Sequence, residues 1–250
     1  MIVMAQVPDR VSMLERELRD IFSSRLQSLV AYGLHAAASP AGDDLHHRAH
    51  AESPRTHTMA IVETLTGADL KSCGDRVATW HDAGLATPLL LAAHEFERSL
   101  DAFPLEFGAI LADHVIVCGR NPFDGLHVDP ADLRRACEVH ARSHLLHLRE
   151  GFLETRGRAD ALAVLIVRSA APFAGLLASL ARLQGIAAHD PAAAGRHAER
   201  ALAVPPGVVT DVVKLTHVTE ISSEEASRIF PAYLDAAERL VKYVDGWSAG

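Results

Sequence analysis

The chain has 250 residues, a formal net charge of −8 at pH 7, and 49 % hydrophobic residues. This length suggests one large domain or two smaller ones with ample material for a core, and the acidic excess argues against a general polyanion binder. The three cysteines are far apart and form no Cys-x-x-Cys pair, which excludes a disulfide framework and a cysteine-rich zinc site and favours a reducing compartment. The first residues lack the pattern of a signal peptide, and the longest apolar run, 161–167, stops at Arg168. We therefore expect a soluble, cytoplasmic protein with no membrane partner and no strong nucleic-acid signal.

The first half of the chain alternates helical and strand patterns. In chain order, the periodicity predicts a helix over 12–24, strands over 26–33, 58–65, 87–93 and 115–119, and a helix over 68–82 that precedes the third strand. Thr66 is expected to cap the 68–82 helix and Gly84 to follow its end, while residues 34–57 are predicted to form a polar loop. The second and third strands are nearly continuous apolar runs, which is typical of a sheet covered on both faces. This order predicts an α+β fold with a small mixed sheet over residues 1–125.

The second half, residues 126–250, is predicted to be a bundle of four or five helices. Successive helices are expected from Asp129-Pro130 to about 154, over 159–184, from Asp190-Pro191 to about 204, over 208–217, and from Ser222 onwards. The 208–217 pattern is ambiguous between helix and strand, and we favour helix. The 159–184 segment is apolar nearly all round, so it is expected to be central in the bundle, with a kink at Pro172. Pro231 is a point where the last helical region could divide.

Residues 14–33 form a predicted helix leading into a strand that ends in Tyr-Gly, and this pattern resembles the entry of the nucleotidyltransferase superfamily. That superfamily includes kanamycin-type adenylyltransferases, DNA polymerase beta and small MNT proteins. Residues 101–126 resemble the join between the sheet domain and the helical bundle in bacterial members, and residues 135–154 resemble the first long bundle helix. The resemblance covers roughly residues 12–185 and lies mostly in the scaffold. It also implies a homodimer, since relatives often place the acceptor substrate between subunits.

This sequence differs from the family in the active-site motif. The resemblance implies a Gly-Ser turn that holds nucleotide phosphates, and a strand with two carboxylates that bind Mg²⁺ for an in-line displacement. Here Gly33 is followed by Leu34, and Thr58 and Ala60 stand at the acid positions if 58–62 is the metal-bearing strand. The 87–93 strand has no acid either. We predict a degenerate enzyme with a binding or regulatory role, no metal or other cofactor, and Gly33, Leu34 and Thr58 as positions that contact a nucleotide or small molecule.

An active enzyme is the first alternative. Asp43 and Asp44 follow Gly33 at about the spacing that the motif allows, so they could serve as displaced metal-binding acids. The protein would then be an Mg²⁺-dependent nucleotidyltransferase that moves a nucleoside monophosphate to a small-molecule hydroxyl. The glycine, the paired aspartates and the few β-branched residues around them disfavour the rigid strand that such ligands need.

Histidines supply the remaining candidates. His46, His47, His50 and His57 lie in the predicted loop, where we favour a polar loop over a metal site. On the first bundle helix, His140, His144 and His147 are predicted to share one inward face with Cys137 and Leu148. They are interpreted as a cleft wall facing the sheet domain, as a metal site through His140 and His144, or as core histidines, and the last of these is favoured.

The same helix contains a second spacing of interest. Arg135 and His140, and likewise Arg142 and His147, match the Arg-x4-His spacing of HEPN ribonucleases, in which a histidine moves a proton and an arginine stabilises the phosphorane. A HEPN-like RNase is therefore the second alternative. In a regular helix, Arg142 and His147 point about 140° apart.

Overall fold

The computed structural model describes residues 9–34, 55–96, 98–186 and 190–247. The fold is α+β, as predicted, with a small four-stranded mixed sheet and a helical C-terminal region. The chain forms two compact units. The described parts of 9–34, 55–103 and 109–127 make up the sheet unit, and those of 104–108 and 128–247 make up the bundle unit.

The sheet unit is organised around four strands. They are β1 (Leu26–Tyr32), β2 (His57–Val62), β3 (Leu89–Ala92) and β4 (His114–Gly119), in the order β3-β2-β1-β4. β1 pairs antiparallel with β2 and β4, and β2 pairs parallel with β3. Opposite each other in the β1–β2 ladder lie Ala31 and Thr58, and Leu29 and Ala60. This register places the Gly33 turn at the same end of the sheet as the start of β2.

Helices α1 to α6 accompany these strands. They are α1 (Asp9–Phe22), α2 (Gly67–Gly74), α3 (Val77–Asp82), α4 (Ala93–Phe96), α5 (Ser99–Ala102) and α6 (Pro104–Ala112). The Thr66 side chain accepts a hydrogen bond from the Asp69 backbone, and the Asp69 carboxylate accepts one from the Thr66 backbone, so the predicted cap is a capping box. The single helix predicted over 68–82 is wrong, since it is interrupted after Gly74, a residue of low helix propensity. Gly84 follows α3 with φ of +78°, as its predicted role requires.

One face of the sheet is covered by α1. The apolar stripe Val11, Leu14, Leu18 and Phe22 is fully buried in one cluster together with Leu29, Ala31, Ala60, Val62 and Trp80. The prediction that both faces are covered holds for β2, in which residues 58–62 are all buried. It is wrong for β3, where Leu89 is exposed, because β3 is an edge strand with β2 as its single partner in the described sheet.

The bundle unit contains α7 (Pro130–Thr155), α8 (Ala159–Leu183), α9 (Pro191–Ala201), α10 (Val208–Lys214) and α11 (Ser223–Gly246). The predicted caps at Asp129, Asp190 and Ser222 each accept hydrogen bonds from the first backbone amides of their helices. α8 contacts all four other helices, so the prediction that it is central in the bundle is confirmed. α11 continues through Pro231 without dividing. The flanking Ile229, Phe230 and Tyr233 are buried, and their packing holds the helix together across the proline.

Among the described helices, α8 alone is long and apolar enough to cross a membrane by length and composition, and 44 % of its most apolar window is buried inside the protein. The core helix of a soluble protein passes the same test, so this helix is weak evidence for a membrane span.

A buried carboxylate organises the start of α10. Glu199 is 6 % exposed, and its Oε1 accepts hydrogen bonds from the backbone amides of Gly207, Val209 and Thr210 and from the Thr210 hydroxyl, at 2.9–3.0 Å. A side chain of α9 therefore satisfies the first amides of α10, which has no cap of its own from Gly207.

Candidate functional site

The Gly33 turn follows β1 directly. Gly33 has φ of +67°, and a Cβ there would meet nothing within 4 Å, so the glycine is favoured by its backbone conformation and not by crowding. Its amide donates a hydrogen bond to the Asp113 carbonyl at 3.0 Å. Leu34 packs against the core cluster under α1. The glycine amide that would bind a phosphate in the resembled motif is therefore engaged with the backbone beside β4.

The positions that would bear the metal-binding acids lie on β2. Thr58 and Ala60 are fully buried and face the same side as their partners Ala31 and Leu29, which is the side packed beneath α1. The other face of β2 presents Met59 and Ile61, which are also buried. β2 thus offers no carboxylate on either face.

Thr58 has an unusual environment for a polar side chain. Its hydroxyl is buried and has no hydrogen-bond partner within the described structure. A buried hydroxyl without a partner is unfavourable by about 1–3 kcal/mol. Its predicted role as a nucleotide contact stays a prediction.

The displaced acids of the first alternative, Asp43 and Asp44, lie outside the described residues, as do His46, His47 and His50. His57 is described, and its ring centroid lies 5.7 Å from that of Tyr32. No group of three or more His, Cys, Asp or Glu side chains that could hold a metal ion occurs within the described ranges.

The histidines of α7 do not share an inward face, so that prediction is wrong. His140 is exposed, and the His147 side chain is 75 % exposed, whereas His144 is largely buried. The buried residues of α7 between 133 and 148 are Leu133, Cys137, Ala141, Leu145 and Leu148. On a regular helix their mean direction lies about 80° from His140, about 100° from His147 and about 40° from His144. The buried side of α7 is therefore centred on the row from Leu133 to Leu148 and not on the three histidines. Of these histidines, His144 alone lies close to that side.

His144 is part of a buried polar cluster that joins α7, α8 and α11. Its Nε2 is hydrogen-bonded to the Tyr233 hydroxyl at 2.8 Å, which in turn donates to Ser169 Oγ at 3.1 Å. The imidazole stacks on Phe173 with ring centroids 5.2 Å apart. Burial lowers the pKa of His144 to about 4 and raises the pKa of Tyr233 well above its usual value. His144 is therefore a neutral, hydrogen-bonded core histidine at pH 7.

The arginines of the Arg-x4-His pairs are held in ion pairs. Arg135 is paired with Asp132, and Arg142 Nη2 lies 2.7 Å from Asp245 and 3.4 Å from Glu138. Neither arginine contacts the histidine five residues later in any described interaction. The Arg-x4-His spacing on α7 therefore does not bring an arginine and a histidine together as a catalytic pair.

The sequence also gave no indication that Arg182 would be partly buried. Arg182 lies near the end of α8, and its Nε is buried without a hydrogen-bond partner. Arg168 of the same helix is exposed, although the two point only about 40° apart on a regular helix. Periodicity therefore gives no signal for the burial of Arg182, which depends on packing by other parts of the bundle unit.

In comparisons with known proteins, no family model and no curated protein matches this chain.

Proposed function

We propose that the chain is a catalytically inactive relative of the nucleotidyltransferase superfamily, with a binding or regulatory role and no metal cofactor. The observation that supports it most strongly is the composition of β2. The strand that would bear the metal ligands has buried Thr58 and Ala60 on one face and buried Met59 and Ile61 on the other.

The chemistry of the transfer explains why this strand matters. Mg²⁺ takes hard oxygen ligands in near-octahedral geometry, usually carboxylates held on a rigid element. Two such ions stabilise the attacking and leaving oxygens of the displacement. Alanine, methionine and isoleucine have no oxygen in the side chain, and one neutral hydroxyl is a poor substitute for two carboxylates.

The ligand we propose is a nucleotide or small molecule bound without Mg²⁺ near Gly33, Leu34 and Thr58. Because the Gly33 amide already donates to Asp113, phosphate binding by that amide would compete with the backbone. We therefore expect weak affinity for triphosphates. A cytoplasmic location and a homodimer belong to the same proposal.

Calorimetry of the full chain tests the proposal with ATP, GTP, CTP and UTP, each with and without Mg²⁺, alongside an assay for pyrophosphate release. We expect any binding to be independent of Mg²⁺ and no pyrophosphate to form. Tight Mg²⁺-dependent binding with pyrophosphate release contradicts the proposal.

If Mg²⁺-dependent pyrophosphate release is observed, two variants test which carboxylates bind the metal. Loss of release in Asp44→Ala, but not in the exposed control Asp75→Ala, would assign the reaction to the displaced acids. Light scattering coupled to size exclusion tests the homodimer, for which a mass of twice 26.9 kDa is expected and a monomer mass is the contrary result.

A further inference from the structure

The solvent-facing side of α7 carries a line of large apolar residues. Val139, Leu146 and Leu153 follow one another at seven-residue intervals, and they are 65 %, 62 % and 74 % exposed. On a regular helix the three directions fall within about 40° of one another, and they lie about 160° from the mean direction of the buried residues of α7. The apolar line is therefore on the side of α7 opposite to the bundle core.

The spacing of this line is that of a helix–helix seam. Single exposed apolar residues are normal on a protein surface, whereas a continuous apolar patch marks an interaction site. From Val139 to Leu153 the line is about 21 Å long, at 1.5 Å per residue. A seven-residue repeat keeps apolar side chains on one side over several turns, and it is the repeat along which two helices pack side by side. The line therefore fits another long helix.

The charged residues beside the line are sorted by sign. Within about 60° of the line on a regular helix, one side has Arg135, Arg142 and Arg149, and the other side has Asp132 and Glu150. The apolar line thus separates a basic edge from an acidic edge. We call this surface, with its apolar line and its two edges, the α7 face.

The two edges make the α7 face complementary to a second copy of itself in one orientation. A two-fold axis parallel to the helix brings the basic edge of each copy against the acidic edge of the other. An axis perpendicular to the helix brings basic edge against basic edge, and like charges across an interface are unfavourable. In the parallel arrangement, Arg149 lies within about 1.5 Å of the partner's Glu150 along the helix direction, and Arg135 lies within about 4.5 Å of the partner's Asp132.

The arginines of the basic edge keep donors for such contacts. Arg142 binds Asp245 and Arg149 binds Glu238 through one terminal nitrogen each, and both arginine side chains are about half exposed. A guanidinium has five N–H donors. A carboxylate of a second chain can therefore bind to the same arginine without displacing the acid of α11.

We propose that the α7 face is the contact between two copies of this chain, with the two α7 helices parallel about a two-fold axis. Such an interface uses the same surface on both subunits. The proposal rests on the homodimer of the proposed function and does not depend on nucleotide binding. A contact confined to one helix of each chain is small beside the roughly 800 Å² per partner of standard complexes, so the association is weak and depends on concentration.

Sedimentation equilibrium of the full chain tests the interface, over the range from about 10 µM to 1 mM in which weak complexes are measurable. The variant Leu146→Glu places a charge at the centre of the apolar line. The matched control Val218→Glu places the same charge at an exposed apolar residue away from α7. We expect the natural chain and Val218→Glu to dimerise with the same Kd, and Leu146→Glu to have a Kd at least tenfold higher.

The outcomes separate this interface from the proposed function. A natural chain that stays monomeric over the whole range overturns both the homodimer and the α7 interface. A dimer whose Kd is unchanged in Leu146→Glu overturns the α7 interface alone and leaves the homodimer in place. The binding and pyrophosphate measurements on the sheet unit are independent of either result.

Cross-linking tests the orientation with variants that alter only exposed residues. Val139→Cys and Leu153→Cys are each treated with a bismaleimide too short to span the about 21 Å that separates equal positions in an antiparallel pair. The natural chain controls for its own three cysteines. We expect each variant alone to form a cross-linked dimer. Cross-linking only in a mixture of the two variants, or in none of these samples, overturns the proposal.

Discussion

The buried hydroxyl of Thr58 allows a test of the sheet unit. Removing this hydroxyl should raise the free energy of unfolding, whereas most substitutions in a core lower it. Thr58 is fully buried, and its hydroxyl has no partner in the described structure. Valine has nearly the same shape and no hydroxyl, so Thr58→Val removes an unsatisfied group without leaving a cavity. We expect stabilisation of about 1–2 kcal/mol, which corresponds to a rise in midpoint of roughly 2–8 °C for a protein of this size.

Thr66→Val is the matched control. The Thr66 hydroxyl donates to Asp69 at 2.8 Å and accepts from the Asp69 amide at 3.2 Å as the cap of α2. The same substitution there is expected to destabilise by about 1 kcal/mol. One chemical change should therefore raise stability at one site and lower it at the other.

Tryptophan fluorescence during urea unfolding measures both variants. The chain has two tryptophans, and Trp80 is fully buried in the core of the sheet unit. In a Trp247→Phe background, Trp80 alone reports on the unfolding of that unit. If Thr58→Val destabilises as much as Thr66→Val, the Thr58 hydroxyl has a partner in the folded protein, and the conclusion that it is buried without one is wrong.

Three further predictions concern the bundle unit. Because the folded pKa of His144 is about 4 and its ordinary value is 6.5, the unfolded chain binds more protons between these values, and stability falls by up to about 3 kcal/mol as the pH is lowered from 6.5 to 4. Urea unfolding across this range should show a weaker pH dependence in His144→Phe than in the natural chain. Glu199→Ala should lower the free energy of unfolding by about 2 kcal/mol through loss of the α10 cap, against little change for the exposed Glu220→Ala; equal effects would contradict the capping role. RNA incubated with the natural chain should remain intact, and cleavage that is abolished by His140→Ala would instead support the HEPN-like alternative.

Local rules account for most of the helices. The caps at Asp129, Asp190 and Ser222 act over two or three residues, so their side chains and the following helical pattern fix where α7, α9 and α11 begin. It was harder to predict whether a helix continues or breaks at a glycine or proline, because this depends on the balance between local propensity and tertiary packing. The low propensity of Gly74 interrupts α2 and α3, whereas the packing of Phe230 and Tyr233 carries α11 through Pro231.

The candidate site was less accessible from the sequence, because burial is decided between elements. The spacing of His140, His144 and His147 fixes their mutual angles, but which side of α7 meets α8 and α11 depends on the whole buried row of that helix. In the same way, Arg182 and Arg168 occupy similar helical positions and differ in burial. The absence of acids from β2, by contrast, can be read directly from residues 57–62 once the strand is identified.

The central proposal is that the sheet unit has no binding site for a catalytic divalent ion. Crystals soaked with Mn²⁺ and a non-hydrolysable nucleoside triphosphate, measured at a wavelength where manganese scatters anomalously, test it most directly. The account predicts no anomalous peak bound by side chains next to Gly33 and β2. A manganese ion held there by Asp43, Asp44 or any other carboxylate would contradict it and restore the active enzyme.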